Sequence, residues 1–569
     1  MTQKIVSRFR PALSEELLLQ HNFFELYPHD GGGSFIQREI LGSVEDQQIC
    51  ANILEHGALD QFGTLPQLDF LRFAKWRTVE KSCWLSRMYA IVPLAKRYRQ
   101  SGDEKLALLV RDMMLWFSRN YPAPRDSAAI AQNWQNLTDR IRDEYNTQPY
   151  TVFSQNEKIV DYNWFDFQPA SRMLHFLHAM YFLRDSPSLT VQDWQELDAM
   201  IRTHGQVVFL QERDCCQPHR SNHQALRAMA LLYADAACGN PDWRRKGREL
   251  ISWHLINDYL SDGMLHEGSP SYHIFETWLC RDAAILAERS GEPLPPEALA
   301  MLEKAVAVCR MFRQPDGSSV VLNDGYPVNL SAFLASFPGQ AGLPAQSSSS
   351  PAAALLPCGQ LAAWSAGGTF AFLDAGPFPG QFSHYHGGKN ALTLWLEGKP
   401  FLVDSGCSNY DCRKFAEWYK LPEAHSTMLV DGVGDAGIVG TYEWSSSPTL
   451  SVTPWQHTPQ DGLWRIAASA TSLQKAWQGV SWTRSLTLGQ EAQVSISDAV
   501  CSQRAAKFNF VFVLHPGVQA EIGSDGCSCS LTHGVVRAKM NFGLQGLPGK
   551  PHLALAPGEV YLHFQNTPS

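Results

Sequence analysis

Between Gln381 and Gly432 the chain gathers His384, His386, Asp404, Tyr410 and His425 within about fifty residues. Imidazole, carboxylate and phenol groups move protons, and the first two also hold divalent cations. His384 and His386 are two residues apart, so on an extended chain their side chains point the same way. The segment ALTLWLEGKPFLVD alternates apolar residues on both sides of Gly398-Lys399 and predicts a β-hairpin. Asp404 ends its second strand and His425 precedes the next. Three neighbouring strand ends can bring His386, Asp404 and His425 to one ion, and zinc accepts that ligand set. A single histidine in a β domain is more often a hydrogen-bonded structural residue; the set of three is what argues for a metal. Cys407 and Cys412 are close enough in sequence to compete as ligands, although Cys407-Ser408-Asn409 reads as a loop leading Tyr410 inward.

Two further clusters open helical patterns. Ser221-Asn222-His223-Gln224 precedes ALRAMALLYADA, where Ser221 or Asn222 also suits a plain N-cap. HEGSPSYHIFETW carries His266, Glu267, Tyr272 and His273, with Ser269-Pro270 reading as a helix start. Asp161-Tyr162-Asn163-Trp164 and the overlapping WFDFQPASR add Arg172 and aromatics; Trp164 has the shape to stack on a sugar ring, although core packing is the commoner fate of one tryptophan. Arg72, Arg77, Arg172 and Arg220 are candidates for an anionic substrate, each equally suited to a solvated surface. Glu267 and Asp262 are the paired carboxylates that a glycoside hydrolase would need.

The elements that must position these groups fall into two textures. From about residue 80 to 335, apolar residues recur at three and four, as in LALLVRDMMLWFSRNY, SRMLHFLHAMYFLRD and CWLSRMYAIVPLAKRY, which predicts seven or more helices with one buried face each. Breaks such as GNPDW, SDGM and QPDGSS separate them. Such a succession suits an α/α toroid or a bundle, and periodicity does not choose between them. After QAGLPAQSSSSPAAALLP, read as a linker over 340–357, short alternating runs such as WRIAASA, WTRSLTL, AQVSISDAV and EVYLHFQ predict an antiparallel sandwich or barrel. The expected organisation is multidomain α+β: a lead-in over 1–70, a helical domain over 71–339, the linker, and a β domain over 358–569.

At 569 residues, 44% hydrophobic and 18% charged, the chain is long enough for two or three globular domains. Its net charge of −9 argues against nucleic acid or an acidic membrane surface as the main partner. No run is long and apolar enough to span a membrane. MTQKIVSRFRPALSEELLLQ has no signal-peptide core, which points to the cytoplasm, or to the periplasm or exterior if a leader had been removed. Thirteen cysteines without a repeating spacing fit free thiols better than a disulfide framework.

On NHQALRAMALLY, DGMLHEGSPSYH and above all HYHGGKNALTLWLEGKPFLVDSG with the following Tyr410 and AHSTMLVDG, the chain resembles the heparinase II/III family of polysaccharide lyases over most of its length. The resemblance implies an incomplete (α/α) toroid followed by an antiparallel β-sandwich. It also implies β-elimination on a uronate-containing glycan, such as a glycosaminoglycan, alginate or a bacterial acidic polysaccharide, with a 4,5-unsaturated product. Asn222 and His223 match the residues that neutralise the substrate carboxylate, Tyr272 the acid or base, and His384 and Tyr410 the catalytic pair of the β domain. Arg77, Trp164, Arg172, Glu267 and His273 stand as substrate contacts. His386, Asp404 and His425 match a structural zinc set, which manganese or calcium could replace. The family often reads H-x-H-x-D, where this chain has Gly387-Gly388-Lys389-Asn390, and His-Asn-Thr, where it has His425-Ser426-Thr427; both differences bear on substrate subclass.

In the implied reaction a base removes the C5 proton, and the electron pair expels the oxygen at C4. Abstraction next to a carboxylate piles charge onto that group, so amide and imidazole donors there stabilise the transition state. A phenol, with a reference pKa of about 10, acts as a base only where nearby donors or cations stabilise the phenolate. Two rivals stand beside this expectation: a non-catalytic glycan-binding or surface-polysaccharide assembly protein, and a glycoside hydrolase on a similar toroid.

Overall fold

The computed structural model describes residues 40–43, 45–72, 79–135, 161–335, 337, 351–376, 384–407, 415–438, 444–489, 493–543 and 551–558. It divides into two compact units: Met1–Tyr259 with Ile274–Val306 and Asn409–Arg413, and Leu260–His273 with Ala307–Ser408 and Lys414–Ser569. The first unit is helical and the second is dominated by antiparallel strands.

Local chemistry sets the helix boundaries. In GNPDW, Gly239 ends the helix Asn222–Cys238 in the left-handed conformation (φ 70°). Asn240 then caps Pro241–Asn257, accepting from the amides of Asp242 and Trp243, with Pro241 in the first turn where no amide donor is needed. Thr190 and Asp193 form a reciprocal capping box on Val191–Leu210. The run CWLSRMYAIVPLAKRY is two helices, Val79–Ser86 and Ile91–Ser101, rather than one. A continuous helix would set the Pro93 ring against the carbonyl of Tyr89; the chain turns at Arg87–Ala90, with Met88 at φ 58°, and restarts so that Pro93 falls in a first turn.

Gln168–Leu183 and Asn222–Cys238 are buried on nearly every side and pack against each other at the centre of the unit. Gly247 lets Pro241–Asn257 approach closely: a Cβ there would lie 2.8 Å from the Ala228 carbonyl oxygen.

In the second unit, Ala352–Leu356, Leu361–Ala366, Thr369–Asp374, Ala391–Leu396 and Lys399–Leu402 form one antiparallel sheet in chain order. The expected hairpin is present, with its turn at Glu397-Gly398; both have positive φ (50° and 74°), and Leu396 pairs with Lys399. The end of the expected linker, Ala352–Leu356, is an edge strand held by pairing with Leu361–Ala366; alanine's weak strand preference hid it. A second sheet contains Pro448–Val452, Leu463–Ser472, Val480–Leu488 and Val494–Ser502. Trp364, Leu373 and Leu394 of the first sheet share one apolar core with Ile466, Leu486 and Leu488 of the second. EVYLHFQ lies outside the described residues.

The described cysteines are all free, and among the described residues no helix is long and apolar enough to cross a membrane.

His175, His178 and His204 are sealed into the helical unit. His175 donates from Nδ1 to the Arg87 carbonyl at 2.7 Å; His204 donates to the Met200 carbonyl and accepts from Arg172 Nε at 3.0 Å; His178 is 1% exposed. Burial pushes His175 down to about 3 and the other two well below the usual histidine value. Below about pH 6.5 the unfolded chain binds protons that these folded imidazoles refuse, so stability falls as pH falls, by up to about 1.4 kcal/mol per pH unit per histidine. Thermal melts should therefore show a midpoint at pH 5 at least about 4 °C below that at pH 7; equal midpoints would refute the assignment.

Candidate functional site

The segment Leu260–His273 belongs to the β-rich unit, so Glu267 and Tyr272 share one body with His384. Gly268 (φ +72°) shapes it: a Cβ there would come within 2.1 Å of the Tyr385 ring. Tyr385 donates its hydroxyl to the His266 carbonyl at 3.0 Å, and the Asn323 amide donates to the Gly268 carbonyl at 2.8 Å. Tyr272, in the first turn of Pro270–Arg289, then lies flat on His384, with ring centroids 3.7 Å apart and planes 15° apart.

Asp324 holds the two neighbouring histidines. His384 Nδ1 donates to Asp324 Oδ2 at 2.8 Å, and His386 Nε2 donates to Oδ1 at 2.5 Å. Burial alone would raise the carboxyl of Asp324, but Lys420 and both histidines outweigh it and hold the group well below the usual range. With Asp324 ionised, the proton of His384 sits on Nδ1 and Nε2 faces Glu267, 3.5 Å away. His384 keeps 18% side-chain exposure while Asp324 has none, so the imidazole is the accessible member.

Behind this pair, Asp404 Oδ2 accepts from His425 Nδ1 at 2.7 Å, and His425 Nε2 donates to the Tyr419 carbonyl at 3.0 Å. Burial would lower His425, but Asp404 overcomes it and raises the group. Burial dominates at His386, lowering it to about 4 despite Asp324. The His386 and His425 rings are 5.3 Å apart. Two imidazoles and a carboxylate sealed from water fit a divalent cation in donor type, but their ligand atoms do not all lie within 4.8 Å of one another, and His425, donating from both nitrogens, would have to release a proton to bind one.

The Gly387–Asn390 segment is fastened from beneath. Amides of Gly388 and Lys389 donate to Asp435 at 2.8 and 2.9 Å, and the buried Lys389 ammonium donates to Asp374 at 2.7 Å. Arg484, fully buried on Val480–Leu488, donates to the carbonyls of Asn390 and Ser426 and pairs with Asp498. One guanidinium thus ties the segments after His386 and His425 to the second sheet.

The helical unit holds a separate cluster. Ser221 makes no side-chain cap bond, so the plain N-cap reading of this motif fails. His223 Nδ1 donates to Asp166, and the ring, with 46% side-chain exposure, lies 4.3 Å from Phe167. Arg227, buried beneath, bridges Asp166 and Glu212. Burial would raise Asp166, but His223, Arg227 and Arg87 hold it low. Asn222 begins the same helix and is 6% exposed.

Several expected contacts stand elsewhere. Arg172 is a core residue: it is 0% exposed and donates to His204 and to the carbonyls of Ser86 and Asn163, so no donor face is left for a substrate. Trp164 packs on that guanidinium and donates to the Tyr121 carbonyl, so it supports the core rather than a sugar. His273 is fully buried and accepts from the Leu265 amide, acting as a clasp within its loop. Asp262 accepts from the amides of Cys358 and Gly359, so its carboxylate is engaged in holding that turn. Arg72 and Arg220 are exposed, while Arg77, Tyr410 and Cys412 lie outside the described residues. Sequence reasoning missed Asp324, Asp166 and Glu212. Asn323-Asp324-Gly325 reads as a turn, and Asp166 sits inside WFDF, whose aromatics drew the attention.

Residues 68–347 match the family model described as heparinase II/III N-terminus, and residues 348–562 the model described as heparinase II/III-like, C-terminal. A heparin-sulfate lyase of Bacteroides stercoris is 21% identical over 421 residues, covering 68% of this chain and 60% of the relative. One from Pedobacter heparinus is 22% identical over 254 residues, covering 39% of this chain and 38% of the relative. This chain thus spans less than two thirds of either relative. Among solved structures, a heparinase III is 15% identical with a TM-score of 0.64, covering 94% of this chain and 80% of that one. A heparan sulfate lyase mutant from Pedobacter heparinus is 16% identical with a TM-score of 0.60, covering 85% and 72%. These likenesses carry the fold: a helical N-terminal part followed by an antiparallel β part.

Replacing Gly268 by alanine should drive a methyl group into Tyr385 and lower stability by about 2–4 kcal/mol, combining positive-φ strain and overpacking. Gly462→Ala is the control, since its φ is +67° and nothing lies within 4 Å. Equal losses in denaturant unfolding would show that the Tyr385 contact carries no weight.

Proposed function

The chain belongs to the heparinase II/III family, and from that premise we propose that it is a polysaccharide or oligosaccharide lyase acting on a uronate-containing glycan of the glycosaminoglycan type. The observation that carries the reading is the face-to-face contact of Tyr272 with His384, whose Nδ1 is held by buried Asp324. The fold we propose behind it is an incomplete (α/α) toroid and an antiparallel β-sandwich. The relatives named for heparin sulfate or heparan sulfate support the substrate class, with alginate a further member of the panel to be tested.

In this reading Asn222 and His223 donate to the substrate carboxylate and spread the charge that builds as the C5 proton leaves. Asp166 fixes the His223 ring so that Nε2 points away from its anchor. Tyr272 and His384 divide the proton work. The base accepts the C5 proton, the electron pair becomes the C4–C5 double bond, the bond from C4 to oxygen breaks, and the acid protonates the departing oxygen. An imidazole flat against a phenol stabilises a phenolate best when it is protonated, which couples the two groups. Glu267, 3.5 Å from Nε2 of His384, stabilises the charge of that ring when Nε2 takes up a proton. Tyr410 is retained as a partner for proton transfer, and Arg77 as a contact to substrate anions.

His386, Asp404 and His425 would hold a divalent cation, zinc before manganese or calcium given the imidazole share. Bound there, it would supply structural stiffness behind His384. Chelation should lower the melting midpoint of the wild-type protein more than that of His425→Ala; equal shifts would remove the metal from this set.

The direct assay follows the ultraviolet absorbance of unsaturated uronate on hyaluronan, chondroitin, heparan sulfate and alginate. Tyr272→Phe should lower kcat by about 10²–10⁴-fold on the substrate that is cleaved. Near-normal turnover in that variant would take Tyr272 out of the mechanism, and products lacking the double bond would refute elimination altogether.

A further inference from the structure

A third group of ionisable side chains, which the proposed reaction does not use, meets inside the helical unit. His254 lies in the last turn of Pro241–Asn257 and Asp258 is its C-cap residue. Glu276 stands on Pro270–Arg289. All three are 0% exposed, and one donor atom from each lies within 4.8 Å of the others. His254 Nδ1 donates to Asp258 Oδ2 at 2.6 Å, which leaves the Nε2 lone pair; that nitrogen is buried with no hydrogen-bond partner.

The spacing is that of a site shared by two helices. His254 and Asp258 are four apart, so they lie on one helix face, and Glu276 comes to them from the other helix. With the Nδ1 proton donated to Asp258, the buried Nε2 of His254 offers its lone pair to a cation beside the two carboxylates. One imidazole and two carboxylates supply three of the ligands of a zinc-type site.

We propose that His254, Asp258 and Glu276 form a structural zinc-type site in the helical unit, distinct from the set at His386, Asp404 and His425. Asp258 and Glu276 bracket in sequence the segment Leu260–His273 that carries Glu267 and Tyr272.

The test uses the full chain carrying His386→Ala, which disables the other set. After chelator treatment and removal of the chelator, this protein is titrated with zinc while metal content and melting temperature are read. It should take up about one zinc per chain and melt higher with it, and adding Glu276→Gln should abolish both effects. With cobalt in place of zinc, a visible d–d absorption band should appear and vanish on Asp258→Asn. Should the Glu276→Gln chain fail to fold, the cobalt band and its loss in Asp258→Asn decide alone. The proposal is overturned by no zinc uptake in the His386→Ala chain, by uptake unchanged on adding Glu276→Gln, or by absence of the cobalt band.

Discussion

A single buried carboxylate, Asp324, holds the candidate site of the β-rich unit together. It accepts from His384 and His386 at once, and so converts the two-residue spacing of a nearly extended chain into a fixed pair of imidazoles. One of them meets Tyr272; the other turns towards His425. A carboxylate sealed from water would ordinarily be costly. Here the two histidines and Lys420 keep it ionised, and the ionised form fixes which nitrogen of His384 carries the proton.

The same device recurs in the helical unit. Asp166, at φ 53°, aims its carboxylate at His223 while Arg227 holds it from below. Each of these imidazoles is therefore oriented by an acid far away in sequence, which is in turn held by a buried cation. Rigid support of this kind is what proton transfer needs, because small displacements of the reacting groups are costly in rate.

Buried cations also explain how this chain departs from the H-x-H-x-D pattern. Lys389 stands near where an acid often follows, and it pairs with Asp374 while its amide and that of Gly388 bind Asp435. Arg484 does the corresponding work beneath Asn390 and Ser426. Gly388, at φ +87°, lies so close to His425 and Thr427 that a Cβ would crowd both. The backbone near the histidines is thereby held without a third acid among them.

Periodicity and turn chemistry, which act over a few residues, made much legible in the sequence: a helical part before a β part, the hairpin at Glu397-Gly398, the break at Gly239-Asn240-Pro241, and the grouping of Tyr272 and His384 among the candidates. Tertiary structure alone decided which polar residues are supports. Arg172, Trp164 and His273 have the types expected of a sugar-binding surface, yet their partners, distant in sequence for the first two and across a loop for the third, take them into the interior. Asp324 and Asp166 look like turn residues until the fold brings histidines to them. Ala352–Leu356 looks like linker until a neighbour pairs with it. For Arg172, Trp164, Asp324 and Asp166 the deciding hydrogen bonds join positions that no local pattern relates, because burial and pairing belong to the folded chain and not to a window of it.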